Sequence, residues 1–277
     1  MKHIEILSNS EKLSATLYEA DKNDTLLIIA SATGIKQENY QKFSSFLSEK
    51  GVSVITFDYN GIGRSLTKPI KELNNNAADW GQNDLESVLQ YAIKNYPDAK
   101  KIILGHSIGG QLIGLAKSSS KFDKIILIAS QSGYWKFWQG IDKVKMWFNW
   151  YILIPTLLHL YGYLNSKKLS GMENLPKNVA AQWRNWCKNP DYIHSDKSIA
   201  IKYYDKIEVD ISVFSIEDDY FAPQKAVEWM GNQYLNSKIK STHLVPDDFR
   251  EKKIGHFGVF KDKFKNTIWE LLLNEIR

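Results

Sequence analysis

The chain of 277 residues contains one cysteine, Cys187, so no disulfide can form within it. That usage suits a reducing compartment, and a cytoplasmic location is expected. Cys187 lies far from any nucleophile context and reads as a buried or inert thiol. There is no block of basic residues. The formal net charge of +5 comes from lysines scattered along the sequence, so no nucleic-acid partner is expected and at most a weak peripheral contact with acidic membranes. The first residues, Met1-Lys2-His3-Ile4-Glu5-Ile6, lack an apolar core followed by small residues, so no signal peptide is expected. Residues 146–166 carry no Lys, Arg, Asp or Glu, but Asn149, Pro155, Thr156, His159 and Gly162 interrupt them. A buried or lid element is expected there rather than a bilayer span. No His, Cys, Asp or Glu cluster has metal-ligand spacing. No internal repeat or low-complexity linker is present.

What the sequence does have is one short stretch that organises the rest. Lys101-Ile102-Ile103-Leu104 reads as a strand, Gly105-His106-Ser107-Ile108-Gly109 follows, and Gln111–Ala116 reads as the start of a helix. This is G-x-S-x-G in a strand–turn–helix setting, the context that makes the motif meaningful. Side chains at Gly105 or Gly109 would collide with the neighbouring strand or helix, and Ser107 must take a strained conformation. The turn lifts its hydroxyl over a helix N-terminus, where backbone N–H groups favour developing negative charge.

The remaining pattern alternates strands and helices. Residues 3–20 suggest an antiparallel hairpin. Apolar runs at 25–30, 52–57, 124–129 and 211–215 suit strands buried on both faces. Helices are expected at 39–50, ended by Gly51, at 79–96, at 223–234 and at 263–276, with another strand at 241–245. This predicts a mostly parallel sheet with helices on both faces. The rhythm breaks over 134–204, which hold six of the nine tryptophans. The expected organisation is a core of 1–133 and 205–277 with 134–204 inserted as a helical, aromatic-rich cap. Its aromatic residues either wall an apolar pocket or form the cap's own small core.

The elbow, the loop Asp58-Tyr59-Asn60-Gly61-Ile62-Gly63-Arg64-Ser65 and the late Gly255-His256-Phe257-Gly258 resemble the α/β-hydrolase superfamily over essentially the whole chain. Ala32-Thr33-Gly34, Gly133-Tyr134-Trp135 and Gln182-Trp183-Arg184-Asn185-Trp186-Cys187 resemble more closely a set of predicted bacterial α/β-hydrolases of unassigned substrate, related to serine aminopeptidase and monoacylglycerol-lipase-like hydrolases. The resemblance implies fold and machinery and says little about substrate.

A serine hydroxyl needs a base, and in this fold the order along the chain is serine, acid, histidine. Three histidines lie late enough: His194, inside the expected cap; His243, inside an expected strand; and His256, in a glycine-flanked loop where the superfamily places its base. The acid is expected after the strand ending near Ser215. Asp219 is preferred to Asp218 because it stands four residues before Pro223, a spacing the superfamily often shows, with Glu217 third. One oxyanion donor is the N–H of Ile108. The other should come from the loop after 25–30, where many relatives have His-Gly and this chain has Ser31-Ala32-Thr33-Gly34. Thr33 is favoured over Ala32. The 58–65 loop could cradle a phosphate, but its spacing is not a P-loop and its glycines look structural, with Arg64 tied to Asp58 or another acid.

The expected activity is hydrolysis of a carboxylic ester with an apolar acyl group, as by an esterase or lysolipid-type lipase, through an acyl-enzyme and without a cofactor. Two alternatives keep the same fold: an acyltransferase, in which an alcohol or amine replaces water, and a binding protein without turnover.

Overall fold

The computed structural model describes residues 1–22 and 24–277, and for Leu169 and Ser170 the backbone alone. Eight strands form one sheet in the order β1-β2-β4-β3-β5-β6-β9-β10. They are β1 (Lys2–Ser8), β2 (Glu11–Tyr18), β3 (Thr25–Ala30), β4 (Ser53–Phe57), β5 (Lys100–His106), β6 (Lys124–Ile128), β9 (Asp210–Ile216) and β10 (Ile239–Leu244). Two short strands, β7 (Tyr163–Leu164) and β8 (Leu175–Pro176), pair separately as a ribbon. β1–β2 and β2–β4 are antiparallel, and every other pair in the large sheet is parallel. Every residue of β4 is buried, as are Leu26–Ala30 and Ile125–Ile128. Strands buried on both pleated faces require cover on both sides, which the helices supply.

The helices are α1 (Gln41–Glu49), α2 (Ala77–Asp79), α3 (Glu86–Asn95), α4 (Ile108–Leu112), α5 (Gly140–Phe148), α6 (Ile154–Tyr161), α7 (Lys167–Ser170), α8 (Lys177–Cys187), α9 (Gln224–Gly231) and α10 (Ile268–Ile276). α1 meets α10 through Phe43 and Trp269, whose rings stand 5.5 Å apart edge to face. α3 buries Val88, Leu89 and Ala92, the stripe its sequence periodicity announces. Several boundaries differ from the periodicity. α4 ends at Leu112 and tightens into a 3-10 turn over Ile113–Leu115 instead of running to Ala116. α10 begins at Ile268 rather than 263, because Thr267 has φ −133° and ψ −91°, outside helical space. Residues 134–204 are not purely helical, since they contain the β7–β8 ribbon.

α5 and α6 are joined by a π-helical stretch, Asn149–Leu153, into one winding helix over 140–161. Pro155 accounts for the widened turn. It has no N–H, and its ring clashes with the carbonyl four residues back, so the helix relaxes just before it. Gly162, at φ +74°, ends the run. Among the described residues no helix is long and apolar enough to cross a membrane.

A second π-helical stretch, Trp80–Leu85, links α2 to α3 and buries Asp84. Its carboxylate accepts from the Ser8 hydroxyl and the Asn60 N–H, both at 2.8 Å, tying the β1–β2 turn to the loop after β4. Burial, only partly offset by these bonds, pushes the acid up to about 7. A carboxyl raised by folding stabilises the fold while protonated, and that contribution is lost as pH rises through the folded value. The gap from the usual 3.8 corresponds to about 4 kcal/mol at most. Asp84→Asn imitates the protonated acid, so its stability advantage over wild type should grow between pH 5 and pH 8. Urea unfolding at both pH values checks this; parallel pH profiles would contradict it.

Candidate active site

β5 ends at His106 and α4 starts at Ile108, leaving Ser107 to turn the chain by itself. Its φ of 54° and ψ of −121° are strained for an L-residue. The turn tolerates only glycine around it. A Cβ on Gly105 would lie 2.3 Å from Gly110 Cα, and one on Gly109 would lie 2.1 Å from the Ala30 carbonyl oxygen. Ser107 Oγ faces Gln131 Oε1 at 3.5 Å, a long and weak contact.

The loops that follow β9 and β10 bring a carboxylate and an imidazole together. His256 Nδ1 and Asp219 Oδ2 are 2.7 Å apart and both side chains are buried. The other Asp219 oxygen accepts from the Phe221 and Ala222 N–H groups at 2.8 and 3.1 Å, which fixes the carboxylate's orientation. Asp218 points elsewhere. Its Oδ1 accepts from the Gly255 and Ile254 N–H groups at 3.0 and 3.3 Å, bracing the histidine loop from behind. His243 bonds Ser215 through Nδ1 at 2.7 Å, between the adjacent strands β9 and β10. His194 packs at a tilt against the Tyr204 ring.

Of the two loop N–H groups after β3, that of Ala32 is occupied. It donates to Tyr40 Oη at 3.0 Å. The N–H groups of Thr33 and Ile108 have no partner among the described residues. The Tyr40 hydroxyl bonds in turn to His106 Nδ1 at 2.8 Å, and His106 Nε2 donates to the His256 carbonyl at 3.0 Å. A carbonyl can only accept, so His106 carries its proton on Nε2 and Tyr40 donates to Nδ1. Burial, reinforced by nearby His256, drives the His106 imidazole well below its usual value and keeps it neutral. His106 thus stitches the β3 loop, the elbow and the histidine loop together. The sequence shows it only as the variable residue of G-x-S-x-G.

Gln131, just after β6, is a further polar residue of the site that no local sequence pattern marks. Its Oε1 also accepts from Gln111 Nε2 at 3.2 Å, and its Nε2 donates to the Phe221 carbonyl at 3.0 Å. Tyr192 donates to Gln111 Oε1 at 2.7 Å and receives the indole N–H of Trp183 at 3.1 Å. A buried hydrogen-bond chain therefore runs from α8 to the hydroxyl of Ser107. The only sequence signal is an amide side chain three residues beyond the apolar strand β6.

The 58–65 loop holds no free anion cradle. Asp58 fills it with its own carboxylate, accepting from the Gln37 and Arg64 backbone N–H groups at 2.8 and 3.0 Å. The Arg64 side chain pairs instead with Glu38 at 3.2 Å. Among the described residues no group of three or more His, Cys, Asp or Glu side chains is placed to hold a metal ion. Cys187 is buried, and burial pushes its thiol well above the usual range, away from reactivity.

Ser107, His256, Thr33 and Gln131 line a cleft of about 220 Å³ that opens to solvent. Its walls are apolar: Trp138, Met146, Trp150, Leu153, Leu157 and Trp183 come from the 134–204 segment, and Phe221 and Phe257 from the core loops. Among the described residues no Asp or Glu lines it.

A serine on a glycine elbow, a His–Asp pair on later loops and a mostly parallel eight-stranded sheet define an α/β-hydrolase. The chain belongs to the family described as "Serine aminopeptidase, S33", which matches residues 21–185, more than half of its length. It is 25% identical over 247 residues to human phospholipase ABHD3, a match covering 84% of this chain but 56% of that protein. It resembles a soluble variant of monoglyceride lipase from Saccharomyces cerevisiae, solved with a substrate analogue, at TM-score 0.69 and 13% identity, over 99% of this chain and 94% of that one. The esterase EaEST from Exiguobacterium antarcticum matches at TM-score 0.63 and 16% identity over 99% of both chains. At these identities the two structures speak to the fold alone.

Proposed function

We propose that the protein hydrolyses carboxylic esters with an apolar acyl group. Ser107 Oγ attacks the carbonyl while His256 Nε2 takes its proton. Asp219 holds the imidazole with its other nitrogen protonated and stabilises the imidazolium. The N–H groups of Ile108 and Thr33 receive the oxyanion, a type of contact worth roughly 100- to 1000-fold in rate per donor. His256 then protonates the leaving alcohol, and water resolves the acyl-enzyme by the same route in reverse. The observation that carries this reading is the buried 2.7 Å His256–Asp219 pair, whose imidazole lines the same cleft as the serine of the elbow. Residues 134–204 serve as a cap whose inner aromatic and aliphatic side chains hold the acyl chain.

An ester fits better than a peptide. An aminopeptidase must pair the substrate's ammonium group with an acid, and no carboxylate lines the cleft among the described residues. The name of one relative, a phospholipase, points toward acyl lipids. The single, buried Cys187 accords with a cytoplasmic setting.

The walls set a measurable expectation. Each methylene buried against them adds about 0.8 kcal/mol, or roughly fourfold in kcat/KM, until the cleft is full. A series of p-nitrophenyl esters from acetate upward should show that rise. A profile that is flat or falls from acetate, or faster turnover of aminoacyl p-nitroanilides, would contradict the acyl-ester reading.

A further inference from the structure

The helix over 140–161 is apolar on two opposite sides. Met146, Trp150, Ile154 and Leu158 recur every four residues and are buried, with Met146, Trp150 and Ile154 on the cleft wall. A second set, offset by two residues, faces solvent: Val144 is 57% exposed, Phe148 46%, Ile152 44% and Leu160 66%, with Ile141 at 67% one turn earlier. A helix that is apolar all round is ordinarily covered on all sides. Among the described residues nothing covers the outer side. Phe221, itself 43% exposed, also lines the cleft, so the cleft's apolar wall reaches the molecular surface.

Charge identifies what would cover it. The lysines look scattered along the sequence, but the net charge is not. Residues 134–204 hold ten of the 36 Lys and Arg residues and only four of the 31 Asp and Glu residues. That is a net +6 in the segment, which leaves the rest of the chain close to neutral. Several of these cations border the helix. Lys136 and Lys143 lie over the Trp135 ring at 5.4 and 5.6 Å, and Lys188 lies over Tyr151 at 4.9 Å. None of the three has an acidic partner among the described residues.

We propose that the outer face of the 140–161 helix docks the protein on an anionic lipid surface, with Ile141, Val144, Phe148, Ile152 and Leu160 entering the acyl boundary and Lys136, Lys143 and Lys188 meeting the headgroups. An apolar helical face rimmed by cations lies in a membrane interface without spanning it. The two sides of the helix then divide the work. The outer side holds the lipid surface, and the inner side receives what leaves it. This docking does not depend on the hydrolase reading, because it concerns binding alone.

Flotation with vesicles of ether-linked lipids, which cannot be hydrolysed at an acyl ester, tests it on the intact chain. The protein should float with vesicles containing 30 mol% phosphatidylglycerol, at least tenfold more than with phosphatidylcholine alone, and lose most of that binding in 0.5 M NaCl. Ile141→Glu/Phe148→Glu should abolish flotation while hydrolysis of p-nitrophenyl acetate stays within twofold of wild type. Lys136→Gln/Lys143→Gln/Lys188→Gln should weaken binding roughly fivefold per charge while leaving the apolar face intact. Absence of flotation, equal flotation of the glutamate variant, or a lipid-free homodimer that dissociates on Ile141→Glu/Phe148→Glu would overturn the proposal. The last result would assign the face to a second copy of the chain.

Discussion

Ser107→Ala and His256→Ala are each expected to lower kcat for an activated ester by roughly 10⁴- to 10⁶-fold, and the double variant should lose little more than either single one. Both effects follow from one arrangement. Without the imidazole the hydroxyl stays protonated and is a poor nucleophile. Without the hydroxyl the imidazole has nothing to activate except water. The two groups act as a unit, so their losses do not add. KM should change far less, because neither side chain forms the apolar walls that bind the acyl chain. The fold should survive both changes, since the elbow's geometry rests on Gly105 and Gly109 and not on the serine side chain. Steady-state kinetics with unchanged thermal unfolding checks this. Additive losses in the double variant would show that the two residues do not work together.

The neighbouring aspartates should separate just as clearly. Asp219→Asn is expected to reduce kcat about 10⁴-fold with little change in stability. The carboxylate can only accept from His256 Nδ1, so it holds the imidazole with Nε2 unprotonated. An asparagine amide has the same shape but can present its N–H₂, which favours the tautomer that cannot take the serine's proton. Asp218→Asn should stay within about tenfold of wild type. Its Oδ1 accepts two backbone N–H bonds, from Ile254 and Gly255, and an amide oxygen in that place can accept both. Parallel kcat measurements on one ester distinguish the two. Comparable losses would mean that Asp218 reaches the chemistry as well.

Most of the sheet is legible in the sequence because its signals are local. The apolar run at 25–30 coincides with β3, and 124–129 with β6 to within a residue. The elbow is legible for the same reason, since its glycines and serine are consecutive. What escapes is set by distant partners. His106 bonds Tyr40, 66 residues away, and the His256 carbonyl, 150 residues away, and no local pattern records either. The engagement of the Ala32 N–H by Tyr40 belongs to the same network and, of the two candidate donors, leaves that of Thr33 without a partner among the described residues. The spacing to Pro223 favours Asp219 over the adjacent, chemically identical Asp218, and the turn after β9 aims Asp219 at His256 and Asp218 at the Ile254 and Gly255 N–H groups. The joining of α5 and α6 across a π turn was hidden by Pro155, which in sequence looks like an interruption and in space only widens the helix. The uneven distribution of charge was countable from the start. It acquired meaning only when one outer helix face proved to be both apolar and uncovered.

One measurement bears on the central claim with the fewest intermediate steps. Wild-type protein is treated with an alkyl fluorophosphonate and the labelled site is read by mass spectrometry of the intact chain and of its peptides. A single stoichiometric adduct on Ser107, absent from Ser107→Ala and slowed at least a thousandfold in His256→Ala, is the predicted result. An adduct on any other residue, or a wild-type Ser107 that stays unmodified under conditions that label trypsin to completion, would contradict the account.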